Sequence, residues 1–283
     1  MSIPDRILAG IYRLEPLPMT VQKLIFMLDD EEVDFKEVAG IIEYDGAITA
    51  NVLRVANSAA FSGLSQIRQV RDAVVRLGTV TLLDILLIGH LRSMRIRAPH
   101  YNLSEDGLWL HSAAASLAAK AIVQKSRTAR GLQLATIAAL IHDIGKLIMV
   151  RYLNADVPSL HEVCQEQNIT LPEAERLVLG CDHAEVGAAM ARKWSFPEQI
   201  TDAIEQHHRT PLEENGPTLD TVMLANEAAK LVTAGMEIEG SDLSPALADH
   251  CRRLALSPES FQLVCSQTAG WLADLKKKYR IRS

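Results

Sequence analysis

Aromatic side chains are scarce in this 283-residue chain: Phe, Trp and Tyr make up 5% of it, against a hydrophobic total of 48%. The apolar mass is therefore mostly Leu, Ala, Ile and Val, which favours helices packed through small and aliphatic side chains over aromatic-rich strands. Period-two alternation is missing too, and no Asn-Gly or Asp-Gly turn lies between apolar strands, so a hairpin-based β fold is excluded. The four cysteines, Cys164, Cys181, Cys251 and Cys265, lack C-x-x-C or zinc-finger spacing and read as ordinary cytosolic thiols. Positive charge is not in excess: the net charge is −6, which makes no case for a nucleic-acid surface over the whole molecule. The local exceptions are KKKYRIRS at the C-terminus and the cluster Arg92, Arg95 and Arg97. Both read as solvated helix ends, and a DNA-binding regulator would rest on them alone. No uncharged apolar run reaches about 18 residues, because Asp84 breaks TLLDILLIG and a His-Asp-Lys set breaks 132–150. The start, MSIPDRILAG, has no basic segment followed by an apolar core. A cytoplasmic protein with no membrane association is the expectation.

What is present is helical periodicity. Val21, Leu24, Ile25 and Leu28 fall on one stripe, as do Phe35, Val38, Ile41 and Ile42. Asp182 with Glu185 has the form of a capping box, Pro197 and Pro258 suit first helical turns, and Ser257 suits an N-cap. Asn57 and Ser58 close the apolar helix ITANVLRVAN and are expected to staple the following loop. The class is all-α, with breaks at RIRAPHYNLSEDG (95–107) and RTPLEENGPTLD (209–220). A first helical subdomain runs to about residue 98 and a second starts at about 104, the two sharing one core.

Into the most apolar stretch, LIHDIGKLIMV at 140–150, the sequence places His142, Asp143 and Lys146. The flanks predict one helix meant for burial, and burying an unpaired charge costs several kcal/mol. Partners must come from elsewhere. Polar candidates fall one or two per apolar or small-residue helix: His111 in LWLHSAAASLAAKAI, His183 opening HAEVGAAMARKW, His207 and His208 ending FPEQITDAIEQHH, and Asn226 in VMLANEAAKLV. Helical bundles build metal sites in this way, from facing helices. Singly, each histidine is more often a hydrogen-bonded core residue than a ligand. His100, His161 and His250 lie in polar, loop-like or helix-surface contexts and are left out. Lys146, four residues after His142, is expected on the same helical side. There it either neutralises a bound phosphate or simply pairs with Asp143 or a nearby carboxylate.

The order His111, His142-Asp143 with Gly145-Lys146, His183 and His207-His208 resembles the HD superfamily of metal-dependent phosphohydrolases. More narrowly, LPMTVQKLIFML, DGAITANVLRVANSAAFS (45–62) and VRDAVVRLGTVTLLDILL (70–87) resemble the HDOD family of bacterial signalling proteins. Asp45-Gly46 stands where that family usually has Asp-Pro. The resemblance covers about residues 14–212 and implies a multi-helix HD-like bundle. Its parts would be an N-terminal helical part (1–100), a metal-site part (101–212) and a helical extension on the same core (213–283). It also implies His111, His142 and Asp143 as ligands of one metal, with Asn226 replacing the expected aspartate. His183, His207 and His208 would hold a second metal, with Asp143 bridging. Gly107 offers no carboxylate for a third. One or two divalent transition ions, iron, manganese, zinc or nickel, suit such ligands. Two ions about 3.5–4 Å apart would activate water and clamp a phosphoryl oxygen, with Asp143 and Lys146 as the catalytic candidates. Two functions stay open: an HDOD signalling output module with a protein partner, or a phosphohydrolase acting on a nucleotide or other phosphoester. The absence of DGxGYP after His208 and the amide at 226 favour the first; the retained histidine set favours the second.

Overall fold

The computed structural model describes residues 3–13, 17–27, 34–57, 66–93, 99–102, 104, 106–126, 133–153, 158–209, 216–236 and 243–279. Among the described residues all regular structure is helical. The N-terminal part holds α1 (Ile3–Arg13), α2 (Met19–Phe26), α3 (Phe35–Glu43), α4 (Gly46–Ala56), α5 (Val70–Leu77) and α6 (Thr79–Ser93). Next come α7 (Gly107–Lys125), α8 (Gln133–Ile141), α9 (Gly145–Met149), α10 (Leu160–Gln167), α11 (Leu171–Leu179), α12 (His183–Lys193) and α13 (Glu198–Gln206). The chain closes with α14 (Pro217–Thr233), α15 (Pro245–Arg253) and α16 (Pro258–Tyr279).

Val21, Leu24, Ile25, Val38 and Ile42 are buried as the stripes require. Phe35 is not, at 44% exposed. It is the first residue of α3, and helical side chains lean toward the N-terminus, so this one leans off the end of the helix. Asp45 caps α4 by accepting from the amides of Ala47 and Ile48. Asn57 ends that helix as a staple: its Nδ2 donates to the carbonyls of Leu53 (2.9 Å) and Ile67 (2.7 Å), and its Oδ1 accepts from the Ile67 amide (2.7 Å). Leu28, Ser58, Arg95 and Arg97 lie outside the described residues, as do residues 210–215 of the second loop. Burial between α6 and α7 pushes the Asp84 carboxyl up to about 7, against the pull of Lys120 and the Ser116 hydroxyl.

The second half is assembled around α7. Ala113, Ala114, Ala115, Ala118, Ala119 and Ala121 are all buried there, and their small size lets α8, α14 and α16 close on it. The Asp182–Glu185 capping box opens α12, and Ser257 accepts from the Ser260 amide ahead of α16. Pro258 begins α16 as expected, whereas Pro197 sits one position earlier than expected, as the N-cap of α13. Buried side chains from Ile7 to Leu272 form one contiguous core, and α1 packs on both α9 and α12. No single helix among the described residues is long and apolar enough to cross a membrane.

The expectation of one helix through 132–150 is corrected. The first segment, α8, stops at Ile141; Ile144 N–H bonds Ile141 and Lys146 N–H bonds Asp143, the tighter i→i+3 pattern, before α9 resumes at Gly145. His142 and Lys146 therefore do not share one helical face. The cause is close backbone approach: a Cβ on Gly145 would stand 2.0 Å from the His183 carbonyl oxygen and 2.7 Å from the Gly187 nitrogen. Opposite, a Cβ on Gly187 would meet Ile204 Cγ2 at 3.0 Å.

Two outcomes follow from this packing. Asn57→Ala removes three hydrogen bonds and is expected to lower stability by roughly 1–3 kcal/mol in urea denaturation; no change would mean the staple carries no energy. Gly145→Ala drives a methyl into backbone and is expected to cost about 3 kcal/mol or more. Its melting temperature should fall well below that of Gly40→Ala, where nothing lies within 4 Å of the new methyl.

Candidate metal centre

Five helices and the turns at their ends bring the titratable side chains together. His111 stands on the second turn of α7, and His142 and Asp143 in the turn between α8 and α9. His183 is the first residue of α12, and His207 and His208 follow the last turn of α13. His142 and His183 are fully buried, Asp143 is 2% exposed and His207 3%. The Asp143 carboxylate lies at the centre. Its Oδ1 faces His183 Nε2 at 3.1 Å and His207 Nε2 at 3.8 Å. Its Oδ2 faces Lys146 Nζ at 2.7 Å, His111 Nε2 at 3.5 Å and His142 Nε2 at 3.6 Å.

The tautomers follow from the outer partners. His142 Nδ1 lies 2.7 Å from the Ala139 carbonyl and His207 Nδ1 2.6 Å from that of Ile204. A carbonyl only accepts, so both Nδ1 atoms donate, and in the neutral ring each Nε2 keeps its lone pair. His183 Nδ1 likewise donates to Glu175 Oε2 at 2.6 Å, and the same oxygen accepts from the His183 amide at 2.9 Å. Such outer acceptors on Nδ1 are the usual support of metal-ligating imidazoles. Two further contacts run between ring nitrogens, His111 Nε2 to His142 Nε2 at 3.2 Å and His208 Nε2 to His183 Nε2 at 2.9 Å.

Electrostatics keep most of these rings neutral. Burial holds His111 and His142 down at about 3, and it also lowers His207 and His208, with His207 and His183 adding to the effect on His208. Burial alone would raise Asp143, but Lys146 and the surrounding imidazoles hold its carboxyl well below the usual range. Burial and Lys146 would likewise lower His183, yet Glu175 and Asp143 raise it. An imidazole clasped between two buried carboxylates attracts a cation, whether a proton or a metal ion.

The residues fit a metal. Asp143 Oδ1 and His207 Nε2 are both buried without a hydrogen-bond partner and face one another. Two electron-rich atoms so placed need a positive charge between them. Asp143, His183, His207 and His208 present one ligand atom each within 4.8 Å of one another, and His111, His142 and Asp143 do the same. Asn226 stands on α14, its Oδ1 buried and unpartnered. It borders a cavity of about 860 Å³ together with Tyr101, His111, Asp143, Lys146 and His208.

Several features were not anticipated. Glu175, fully buried on α11, supports His183; its signal was an acidic residue on the apolar stripe Leu171, Ala174, Leu179. Lys230 and Lys276 border the cavity, so the basic C-terminal run is not merely a solvated helix end. Of the two readings of Lys146, pairing with Asp143 is observed, with its ammonium also 5.9 Å from the centre of the Tyr101 ring. His250 is not on the surface: it is buried and bonded to Asp220, which also accepts from Arg253, tying α15 to α14.

Comparison with known proteins is consistent with this architecture. A protein from Treponema pallidum (strain Nichols), itself uncharacterized, is 24% identical over 220 residues, which is 76% of this chain and 42% of that protein. The chain thus spans about two fifths of that relative. Among solved structures, an HDOD domain protein of unknown function from Geobacter sulfurreducens superposes with a TM-score of 0.73 at 24% identity, covering 97% of this chain and 95% of the other. A Shewanella amazonensis SB2B protein provisionally named a phosphohydrolase gives 0.71 at 20% identity, over 96% and 97% of the two chains. A Marinobacter aquaeolei VT8 protein provisionally named a signal transduction protein gives 0.73 at 18%, over 98% of this chain and 64% of the other. These likenesses carry the fold. The model of the HDOD domain matches residues 14–210, well over half of the sequence, and the chain belongs to the HDOD domain family.

Proposed function

We propose that this chain is a signal-transduction module whose core holds a divalent transition-metal ion on Asp143, His183, His207 and His208, beside a cavity that takes a phosphate-bearing ligand. The observation that carries the metal reading is the unpartnered, buried pair of Asp143 Oδ1 and His207 Nε2. When bound, the ion would act as a Lewis acid toward a phosphoryl oxygen or a water. The chain's own contribution is positional. Glu175 orients His183, while the Ala139 and Ile204 carbonyls hold His142 and His207 with their Nε2 atoms inward. Lys230 and Lys276 border the cavity and supply positive charge toward a phosphate.

Signalling is favoured over turnover by two features. Position 226 carries a neutral amide where a carboxylate would complete a second ligand set, and Lys146 is committed to Asp143 Oδ2. The phosphohydrolase reading is kept by the lysine-bordered cavity opening on Asp143 and His208. A signalling protein partner is part of the proposal.

Protein purified without chelator should contain iron, manganese, zinc or nickel by elemental analysis, and Asp143→Ala should lose it. A parent protein free of metal would sink this reading. A screen with phosphodiesters and nucleotides separates the two roles: turnover by the parent that vanishes in Asp143→Ala makes it an enzyme. Glu175→Gln keeps the shape but weakens the charge behind His183, and metal affinity should fall by about 10–100-fold. Unchanged affinity would make Glu175 a purely structural residue.

A further inference from the structure

We infer that the centre is built for one ion, on the Oδ1 side of Asp143, because Lys146 supplies the positive charge on the Oδ2 side that a second ion would supply. This rests on the metal reading above and decides its stoichiometry and location. The two carboxylate oxygens face different company. Oδ2 accepts from the Lys146 ammonium at 2.7 Å, and Lys146 is itself buried, 8% exposed. On that side, His142 Nδ1 is spent on the Ala139 carbonyl, so its Nε2 accepts and His111 Nε2 donates to it across 3.2 Å. A like pair stands on the Oδ1 side, where His208 Nε2 lies 2.9 Å from His183 Nε2, so the paired rings do not separate the two sides and the ammonium does. The remaining candidate there, Asn226, brings no negative charge. A divalent ion on that side would sit beside an ammonium with one shared carboxylate oxygen to offset both.

The Oδ1 side is different. Neither Oδ1 nor His207 Nε2 has a hydrogen-bond partner, although both are buried. His183 and His208 converge on the same place, and Glu175 adds a second carboxylate behind His183. Here negative charge and lone pairs are in excess by about one cation. Lys146 is held in place by more than the carboxylate, since its ammonium lies 5.9 Å from the centre of the Tyr101 ring.

Manganese provides the readout. Chelator-stripped parent protein is titrated with Mn2+ and followed by elemental analysis and electron paramagnetic resonance. One equivalent with an isolated-ion spectrum is expected. His111→Ala should still take up one equivalent, whereas His208→Ala should bind at least about tenfold more weakly. The double variant Lys146→Met, Asn226→Asp should bind a second equivalent, with a spin-coupled spectrum. Circular dichroism identifies any variant that has not folded, and the parent spectrum decides stoichiometry without variants. Two coupled ions in the parent, or loss of the ion in His111→Ala but not in His208→Ala, would overturn the inference while leaving the metal reading intact. No bound manganese in the parent would overturn both.

Discussion

A carboxylate that is only 2% exposed in a helical core governs the architecture of the site-bearing half. Removing an unpaired charge from water costs several kcal/mol, comparable with the whole stability of a domain. Asp143 is tolerated because the Lys146 ammonium on α9 pairs with its Oδ2, while the imidazoles of His111 on α7, His183 at the start of α12 and His207 at the end of α13 converge on it with lone pairs that a cation can share. Each of those elements has to arrive at a set distance. The packing of α7, α9, α12 and α13 is thus constrained by electrostatics as much as by apolar burial.

The close contact that makes this possible involves no side chain at all. Gly145 brings the start of α9 against the backbone of α12 at His183 and Gly187, where no Cβ fits. That contact places Asp143, two residues before the glycine, beside the first residue of α12. It also explains the break between α8 and α9: a continuous helix would carry its 142–146 backbone past α12 and would not turn into it. Polar residues in this apolar run thus belong to a turn wedged between helices.

The site is asymmetric. Each carboxylate oxygen has a pair of imidazoles in ring-nitrogen contact beside it, but one oxygen is matched by an ammonium and the other faces the unpartnered Nε2 of His207 with a second carboxylate behind His183. The same residue thereby serves as the end of an ion pair and as a candidate ligand. Beyond it the cavity carries lysines from α14 and α16, so the C-terminal helices contribute positive charge to a cavity whose candidate ligands His111, Asp143 and His208 lie earlier in the chain.

Much of this was legible in the linear sequence. Aliphatic, alanine-rich composition and helical stripes determined an all-α bundle, because burial of a stripe is a local, periodic property. His111, His142, Asp143, His183, His207 and His208 were identifiable because polar groups in apolar or small-residue helices must find partners. What the sequence could not decide was geometry that depends on three-dimensional neighbours. Glu175 stood on an apolar stripe with no partner in view until α11 turned that stripe onto His183. Lys276 looked like part of a solvated tail until α16 packed along α7. His250 looked like a surface residue until Asp220 and Arg253 enclosed it. The helix break at 142–144 was hidden because propensity sums over a segment favour continuity, while the contact that breaks it is made by backbone atoms 38 to 42 residues away, at His183 and Gly187. Residue types determined which groups needed partners; only the tertiary structure decided which partners they met, since those distances are set by helices far apart in the chain.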